Sequence, residues 1–361
     1  WRFRGAILGL MRLKRLSVGL LMKSKDLFRS YQTGCLIEGV MPLFGESLDE
    51  FEGNSVITTY APNLRPTDPW RKQLMEDWAI VSVCIWMTHG IIFRCILDNE
   101  GKINIYGGPQ KLDKIFQISD AGVMREDALG LGYVNRIRAI GNALYVCGQS
   151  RQVYRFTPGT PEVLDGDWLD FAGPMRQAPI SDPPEGDGDE FDRWLDENDA
   201  IDLVDIDGSS ENDIYAVGDE CWHYHNGRWR QLQLPTDEFI NAIKVINANE
   251  VFMVGHNGTL LYGNARAGFT DLSSVDDNQN ITSAEIFEGK LYLASNMGLF
   301  VYDPQVKKIE HCLSNLKPEL QDAHILEAKD GILWSFGFKD LAYFDGNAWT
   351  RVDHPDNPPI R

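Results

Sequence analysis

Three residues with metal-binding side chains occupy alternate positions near the middle of the chain: Cys221, His223 and His225. Alternation along a β-strand would place all three on one face, and thiolate and imidazole groups are ligands that zinc prefers. The same spacing also fits a strand that packs Trp222 and Tyr224 against a core and leaves the other face to these residues. The sequence favours this second interpretation. We therefore predict no metal and no cofactor, with the Cys-His-His set as the weaker alternative.

Carboxylates form the second group of residues that could bind an ion or take part in catalysis. Asp202, Asp205, Asp207 and Glu211 resemble a loose calcium loop but lack the spacing of an EF-hand, so turn-forming acids before a strand explain them better. Glycosidases use a pair of carboxylates, yet 53 acidic residues single out no pair. Nucleophile-elbow, zinc-protease and P-loop motifs are missing from the sequence. We predict that the protein is not an enzyme, and a glycoside or lactone hydrolase remains the alternative.

Charge is distributed unevenly along the 361 residues. The net charge is −19, but residues 1–29 hold eight basic residues and one acid. The remaining 30–361 carry 26 basic against 52 acidic residues, a net charge of −26. Such a body repels nucleic acid and anionic membranes and attracts basic partners. The composition therefore predicts a basic protein partner, with no nucleic acid and no membrane.

The first fifty residues read as a basic leader and preamble that is partly disordered. The apolar stretch Leu16–Met22 is too short for an export signal, and no run of eighteen apolar residues exists. A basic amphipathic helix on a membrane surface is the alternative for this leader. The six cysteines are scattered without a CxxC pair, which favours a reducing compartment. We predict a cytoplasmic protein.

A repeated pattern indicates how the chain positions these residues. A polar turn pair, an aliphatic residue, an aromatic residue and one or two small or apolar residues lead to an anchor, usually glycine. Five anchors are found, at Gly148, Gly218, Gly255, Ser295 and Gly337, and the last four are 37, 40 and 42 residues apart. Further strand-like runs before and after each anchor give four strands per repeat.

The anchored runs are apolar on both faces, as in Ile214–Val217, so each strand must be covered from both sides. Short, turn-rich connections exclude the helices that cover a parallel sheet. Radially stacked sheets provide the cover instead. We predict an all-β protein, a β-propeller of six four-stranded blades within 79–357, preceded by an extended lead-in at 51–78. A seventh blade built partly from 51–75 is possible, and we expect a blade shared between the chain ends to close the ring.

One interval breaks the period. Gly148 and Gly218 are 70 residues apart, so the second predicted blade carries an acidic insertion at 157–199. A connection this long is either functional or a solvated mobile loop. Aromatic residues among the acids favour a partner-binding arm. The candidate contact residues are Asp182, Glu185, Asp187, Asp189, Glu190, Phe191, Asp192, Trp194, Asp196 and Glu197.

Several segments resemble one bacterial propeller family, encoded beside Rhs-type polymorphic toxins. They are ITTYAPNLRPTDPW at 57–70, DWAIVSVCIW at 77–86, GLGYVNRIR at 130–138, VDIDG at 204–208, GILWSFG at 331–337 and WTRVDHPDN at 349–357. The repeat motif is also similar to photosystem II assembly factor propellers. The resemblance implies an immunity protein, one that neutralises a cognate toxin, and it carries over no functional residue.

The sequence thus favours a protein-binding propeller that occludes a basic toxin domain. An assembly or adaptor scaffold with another protein partner is the alternative.

Overall fold

A computed structural model describes residues 30–39, 41–47, 54–179, 184, 188, 190, 193–194, 199–273, 279–320 and 323–360. These residues form seven four-stranded antiparallel sheets, here called blades 1 to 7. Of the predicted basic leader and preamble at 1–50, residues 1–29, 40 and 48–50 lie outside the described residues.

The strands of the first four blades follow one another in chain order. Blade 1 contains β1 (Ser30–Glu38), β2 (Met41–Ser47), β3 (Ser55–Tyr60) and β4 (Trp70–Met75). Blade 2 contains β5 (Ile80–Thr88), β6 (Ile91–Asp98), β7 (Lys102–Gly107) and β8 (Leu112–Gln117). Blade 3 contains β9 (Val134–Ile140), β10 (Ala143–Gly148), β11 (Gln152–Phe156) and β12 (Trp168–Asp170). Blade 4 contains β13 (Leu203–Ser210), β14 (Asp213–Gly218), β15 (Trp222–His225) and β16 (Arg228–Gln231).

The other three blades have the same order. Blade 5 contains β17 (Ile240–Asn247), β18 (Glu250–Gly255), β19 (Leu260–Asn264) and β20 (Gly268–Asp271). Blade 6 contains β21 (Ile281–Phe287), β22 (Lys290–Ser295), β23 (Gly298–Asp303) and β24 (Lys308–His311). Blade 7 contains β25 (Ile325–Lys329), β26 (Ile332–Phe336), β27 (Leu341–Phe344) and β28 (Trp349–Arg351). Two short 3-10 helices lie at Gly173–Met175 and His256–Gly258.

The blades form a closed ring. The first strand of each blade contacts the first strands of both neighbouring blades, and β25 of blade 7 contacts β1. These seven first strands are therefore innermost, around the ring axis. The all-β propeller prediction is confirmed, with seven blades.

Both faces of each blade are apolar, as the sequence indicated. The strand β10 is buried along its whole length. Leu144 and Val146 belong to a core cluster shared with blade 2, whereas Tyr145 and Cys147 belong to a cluster shared with blade 4. Each blade thus covers its neighbours on both sides, which is why the short strands need no helices over them.

Glycine is required at two of the anchors by close backbone contact. A Cβ atom at Gly218 would lie 1.9 Å from the carbonyl oxygen of Asp202, and one at Gly255 would lie 2.1 Å from that of Phe239. In each case the end of the second strand meets the residue that precedes the innermost strand. The anchors therefore mark crowding within a blade.

Polar side chains on the innermost strands join one blade to the next. The third residue of β5, β13 and β21 follows a register irregularity and accepts a hydrogen bond from a backbone N–H of the following blade. The three pairs are Ser82 with Ile137, Asp205 with Ile243 and Ser283 with Leu326, each at 3.1 Å. A bulge that redirects one side chain explains this arrangement.

Among the described residues the propeller begins at Ser30, and residues 30–75 supply the seventh blade that the prediction left possible. The structure places this boundary earlier than the predicted position 79. Blade 1 was difficult to recognise because the Leu-Phe pair of its second strand, MPLFGES, follows a proline instead of a polar turn pair and leads into polar residues. Its fourth strand, WRKQLM, is mostly exposed.

Ring closure also differs from the expectation, because no blade among the described residues combines both chain ends. Blades 1 and 7 are each one continuous stretch, joined at a seam. Across it, Leu36 N–H donates to Glu327 and the indole N–H of Trp334 donates to Gly39 O. The C-terminal tail adds His354, which is buried 3.1 Å from Glu46.

The alternating connections define two faces of the ring. We call the upper face the one that carries the connections between blades and the turns between second and third strands. The lower face carries the remaining hairpin turns. The 157–199 stretch is divided between them, because β12 at Trp168–Asp170 completes blade 3 in its middle. Residues 157–167 lie on the lower face, and the described ends of the longer connection, 171–179 and 199–202, lie on the upper face.

Candidate functional site: the upper face

The connection from blade 3 to blade 4 has a rigid base. Ala172 and Met175 are buried in the core cluster between these blades. Gln177 then joins the two ends of the connection: its side-chain oxygen accepts from Ile201 N–H at 2.8 Å, and its amide donates to Asp199 O at 3.3 Å. The two ends of the connection, at Gln177 and at Asp199–Ile201, are consequently held together on the upper face.

Of the ten predicted contact residues, only Glu190 and Trp194 lie within the described part of the chain. Glu190 is exposed and Trp194 is partly buried. The other eight lie outside the described residues, namely Asp182, Glu185, Asp187, Asp189, Phe191, Asp192, Asp196 and Glu197. The role of this segment in binding a partner stays a prediction.

Acidic side chains dominate the described upper face beyond this segment, a feature that the sequence analysis did not localise. They are Glu76, Asp77, Asp98, Glu100, Asp120, Glu126, Asp127, Asp199, Asp202, Asp219, Glu220, Asp237, Glu238, Glu319, Asp340, Asp353 and Asp356. The basic residues of these connections and turns are fewer: Arg125, Arg151, Arg176, Lys317 and Lys339. On adjoining strands, Lys72, Lys102 and Arg351 pair with Asp356, Asp98 and Asp340 of this set. Such a surface attracts positively charged macromolecules.

Some of these acids are already neutralised or fixed. Glu220 accepts both guanidinium bonds of Arg151 at 2.7 Å and the indole N–H of Trp222 at 2.8 Å. The Arg151 hydrogen bonds hold the pKa of Glu220 below its usual value. Burial, in contrast, raises the pKa of Asp98 and of Asp202 to about 6. The negative charge that a partner meets is therefore carried mainly by the more exposed acids.

Apolar side chains are also exposed on the upper face. The connection from blade 2 to blade 3 presents Met124 with 66% of its surface exposed, together with Val123 and Leu129. Met297 is 61% exposed in blade 6 and Leu313 is 62% exposed in the connection that follows it. Apolar groups surrounded by charges are typical of protein interfaces, where they supply contact area after desolvation.

The structure does not group Cys221 with His223 and His225. The strand β15 begins at Trp222, so Cys221 precedes it and is buried with Val217 and Ile240. Burial raises the pKa of its thiol to about 12. His223 and His225 do share a face, and Asp213 from β14 joins them there. Asp213 was missed because only the pairing of β14 with β15 brings it close.

The loose calcium-loop residues do not converge on one point. Asp205 is fully buried and binds Arg138 through two bonds of 3.0 Å, with Arg136 at 3.2 Å. Asp207 accepts from Val245 N–H at 2.8 Å in blade 5. Glu211 instead pairs with Arg155 of blade 3. These acids connect blades, a role that the turn interpretation did not include.

Comparisons with known proteins agree with the fold and add a relative. No family model matches the chain. The immune protein Tsi7 of Pseudomonas aeruginosa is 30% identical over 285 residues, covering 77% of this chain and 81% of that protein. The WD40 propeller domain of Doa1 superimposes with a TM-score of 0.57 at 8% identity, covering 88% of this chain and 93% of the other. Saccharomyces cerevisiae Sqt1 gives 0.56 at 10% identity, covering 91% and 86%. These two likenesses concern the fold alone.

Proposed function

The chain belongs to the family of the immune protein Tsi7, and from this premise we propose that it is an immunity protein that neutralises a cognate bacterial toxin by covering it. The observation that carries the proposal is the length of the match, which takes in 81% of the relative. A match of that extent involves several blades and cannot come from one repeat motif. Binding alone suffices for this function, so no catalytic step is included.

We place the toxin on the upper face. This face combines the acidic connections with the exposed side chains of Met124, Met297 and Leu313. Opposite charge on the toxin would speed association, whereas the apolar side chains would supply most of the affinity. The proposed partner is therefore a basic toxin domain with an apolar area at the centre of its contact surface.

The segment between Gln177 and Asp199 is proposed as a contact arm on the same face. Its fixed base limits the entropy lost when the arm meets a partner. Its acids would add to the negative field of the surrounding connections, and Phe191 and Trp194 would contribute aromatic area. We further propose that the toxin is of the Rhs-linked polymorphic type and that the complex forms in the cytoplasm.

A charge-reversal experiment tests the proposed face. Glu126→Lys and Asp237→Lys place lysine at two exposed upper-face positions in different connections. Each is expected to weaken binding of the toxin encoded by the neighbouring gene by about tenfold at low salt, with a smaller loss at high salt. Binding would be measured by calorimetry, and protection by growth of cells that co-express the toxin.

Glu162→Lys and Asp167→Lys serve as matched controls, because both acids are exposed on the lower face. They make the same change in net charge and should leave affinity and protection unchanged. Equal loss in both pairs of variants would contradict the proposed face. Failure of the unmodified protein to bind or protect would contradict the proposed function itself.

A further inference from the structure

A cluster of three metal-binding side chains lies on blade 4, towards its lower face. His223 and His225 project from β15 and Asp213 projects from β14. One potential ligand atom of each residue lies within 4.8 Å of the others. We propose that Asp213, His223 and His225 form a binding site for a divalent transition metal ion, with zinc as the natural occupant.

The backbone arranges the three ligands before any ion binds. His223 and His225 are two residues apart on one strand, so their rings are nearly parallel, with centroids 5.8 Å apart and planes inclined by 11°. Asp213 is the direct cross-strand partner of His225, and its Oδ1 lies 2.7 Å from Nε2 of His223. Small side-chain rotations would bring the three atoms to the roughly 2.0–2.2 Å that zinc requires.

Outer hydrogen bonds orient these ligands as they do in metal sites. Nδ1 of His225 lies 3.1 Å from the carbonyl oxygen of Asn212. A carbonyl can only accept, so Nδ1 carries the proton and the lone pair of Nε2 remains available for a metal. The hydroxyl of Ser209 donates to the second oxygen of Asp213. The ring of Tyr215 packs against His223 at 4.4 Å and limits its rotation.

Solvent reaches the three candidate ligands. The side chains of His223 and Asp213 are 14% and 15% exposed, and His225 is exposed. An ion can therefore enter from solvent, and water can complete a four-coordinate site.

Two neighbouring positive charges limit the expected affinity of the site for zinc. Arg230 and Arg228 of β16 are the cross-strand partners of His223 and His225, and both arginines are exposed. Their charges oppose a divalent ion, although solvent screens them. We expect one zinc ion to bind with a dissociation constant on the order of 10 µM, about −7 kcal/mol.

The test uses tag-free, full-length protein, treated with chelator and then titrated with zinc chloride in a calorimeter at pH 7.5. The expected result is one equivalent of zinc. His225→Ala and Asp213→Asn should each weaken binding at least tenfold. Because His225 is exposed, its variant should retain the thermal midpoint of the parent.

Two control variants separate this site from other possibilities. Cys221→Ala tests the set that simple alternation suggested, and His311→Ala removes an exposed histidine from blade 6. Both should bind zinc as the parent does. The proposal is overturned if the parent shows no binding at 1 mM zinc, or if His225→Ala and Asp213→Asn bind as the parent does. Either result would leave Asp213 and His223 as a hydrogen-bonded pair only.

Discussion

At the scale of single residues, charged groups near the axis link neighbouring blades. Asp205 is bound by two arginines of blade 3 and accepts a backbone N–H from blade 5, so one carboxylate joins three consecutive blades. Burial raises its pKa, but Arg138 and Arg136 outweigh this effect and keep the pKa below its usual value. Buried ion pairs rarely add much net stability. We infer that this one fixes the relative position of the blades.

Glu327 provides a residue-scale prediction about pH. Burial raises its pKa from 4.5 to about 7, although a hydrogen bond from Leu36 N–H opposes the shift. The native protein therefore retains a proton that the unfolded chain releases above pH 4.5, and this group lowers stability as pH rises from about 4.5 to 7. Glu327→Gln keeps an oxygen acceptor for Leu36 and cannot ionise. It should increase the free energy of unfolding at pH 8 by about 1 kcal/mol or more.

Chemical denaturation at pH 8 and pH 4.5 measures this difference, which should disappear at the lower pH. Glu310→Gln is the control, since Glu310 is exposed in an ion pair with Lys308, and it should show no such pH dependence. An equal effect of Glu327→Gln at both pH values would contradict the explanation.

Residue roles were only partly predictable from sequence. Alternation correctly placed His223 and His225 on one face, because that rule depends on a single strand. The position of Asp213 depends on the pairing of two strands, and the role of Asp205 depends on contacts among three blades. The spacing of residues along one strand determines neither the register between strands nor the contacts between blades.

At the scale of secondary-structure elements, the bulged start of the innermost strands has a measurable role. Ser82 and Ser283 each accept a backbone N–H from the next blade. Removing the hydroxyl leaves that N–H without this acceptor, so Ser82→Ala and Ser283→Ala should each lower the free energy of unfolding by about 1–2 kcal/mol. Because the serines lie in blades 2 and 6, the two losses should add in the double variant.

Urea denaturation of the single and double variants tests this prediction. Ser119→Ala, at an exposed position between blades 2 and 3, should change stability by less than 0.5 kcal/mol, as is usual for surface substitutions. Single losses as small as that of the control would show that the inter-blade hydrogen bonds contribute little.

The repeated strands themselves were predictable because the period of 37–42 residues and the doubly apolar runs both follow from packing between blades. Blade 1 was less visible, since it lacks the anchored motif. The strand β12 was hidden for a different reason. Its three residues, WLD, are too few to stand out within an acidic, turn-rich stretch.

At the scale of the whole molecule, the seam between blades 1 and 7 is the point where the ring is closed by the two ends of the chain. His354 of the tail is buried beside Glu46 and packs edge-on against Trp70 at 4.7 Å. His354→Ala removes both the polar partner and the ring contact. It should lower the free energy of unfolding by about 3 kcal/mol, as measured by denaturant unfolding.

Asp353→Ala is the matched control, because Asp353 is the exposed neighbour in the same tail. It should leave stability nearly unchanged. Replacing the carboxylate as well, in Glu46→Gln with His354→Ala, should recover part of the loss, since the double variant no longer buries an acid without its histidine. Absence of any recovery would assign the loss to packing alone.

The family assignment agrees with the immunity role that the resemblance implied, but the proposed binding face was not evident in the sequence. Composition gave the net charge, whereas the distribution of that charge between two faces depends on which turns the ring brings together. The acids of the upper face are spread from Glu76 to Asp356 along the chain, and only ring closure gathers them.

The path of the chain determines how the protein should be attached to a surface when binding of a partner is measured. The innermost strand β1 starts at the upper face, where Tyr31 N–H donates to Phe338 O, and the last strand, β28, runs towards the same face before the tail begins. A molecule immobilised through either region would turn its acidic side towards the support and shield it from the proposed toxin. Fluorophores or surface tethers are better attached at the opposite rim, for instance beside the open turn at Gly227.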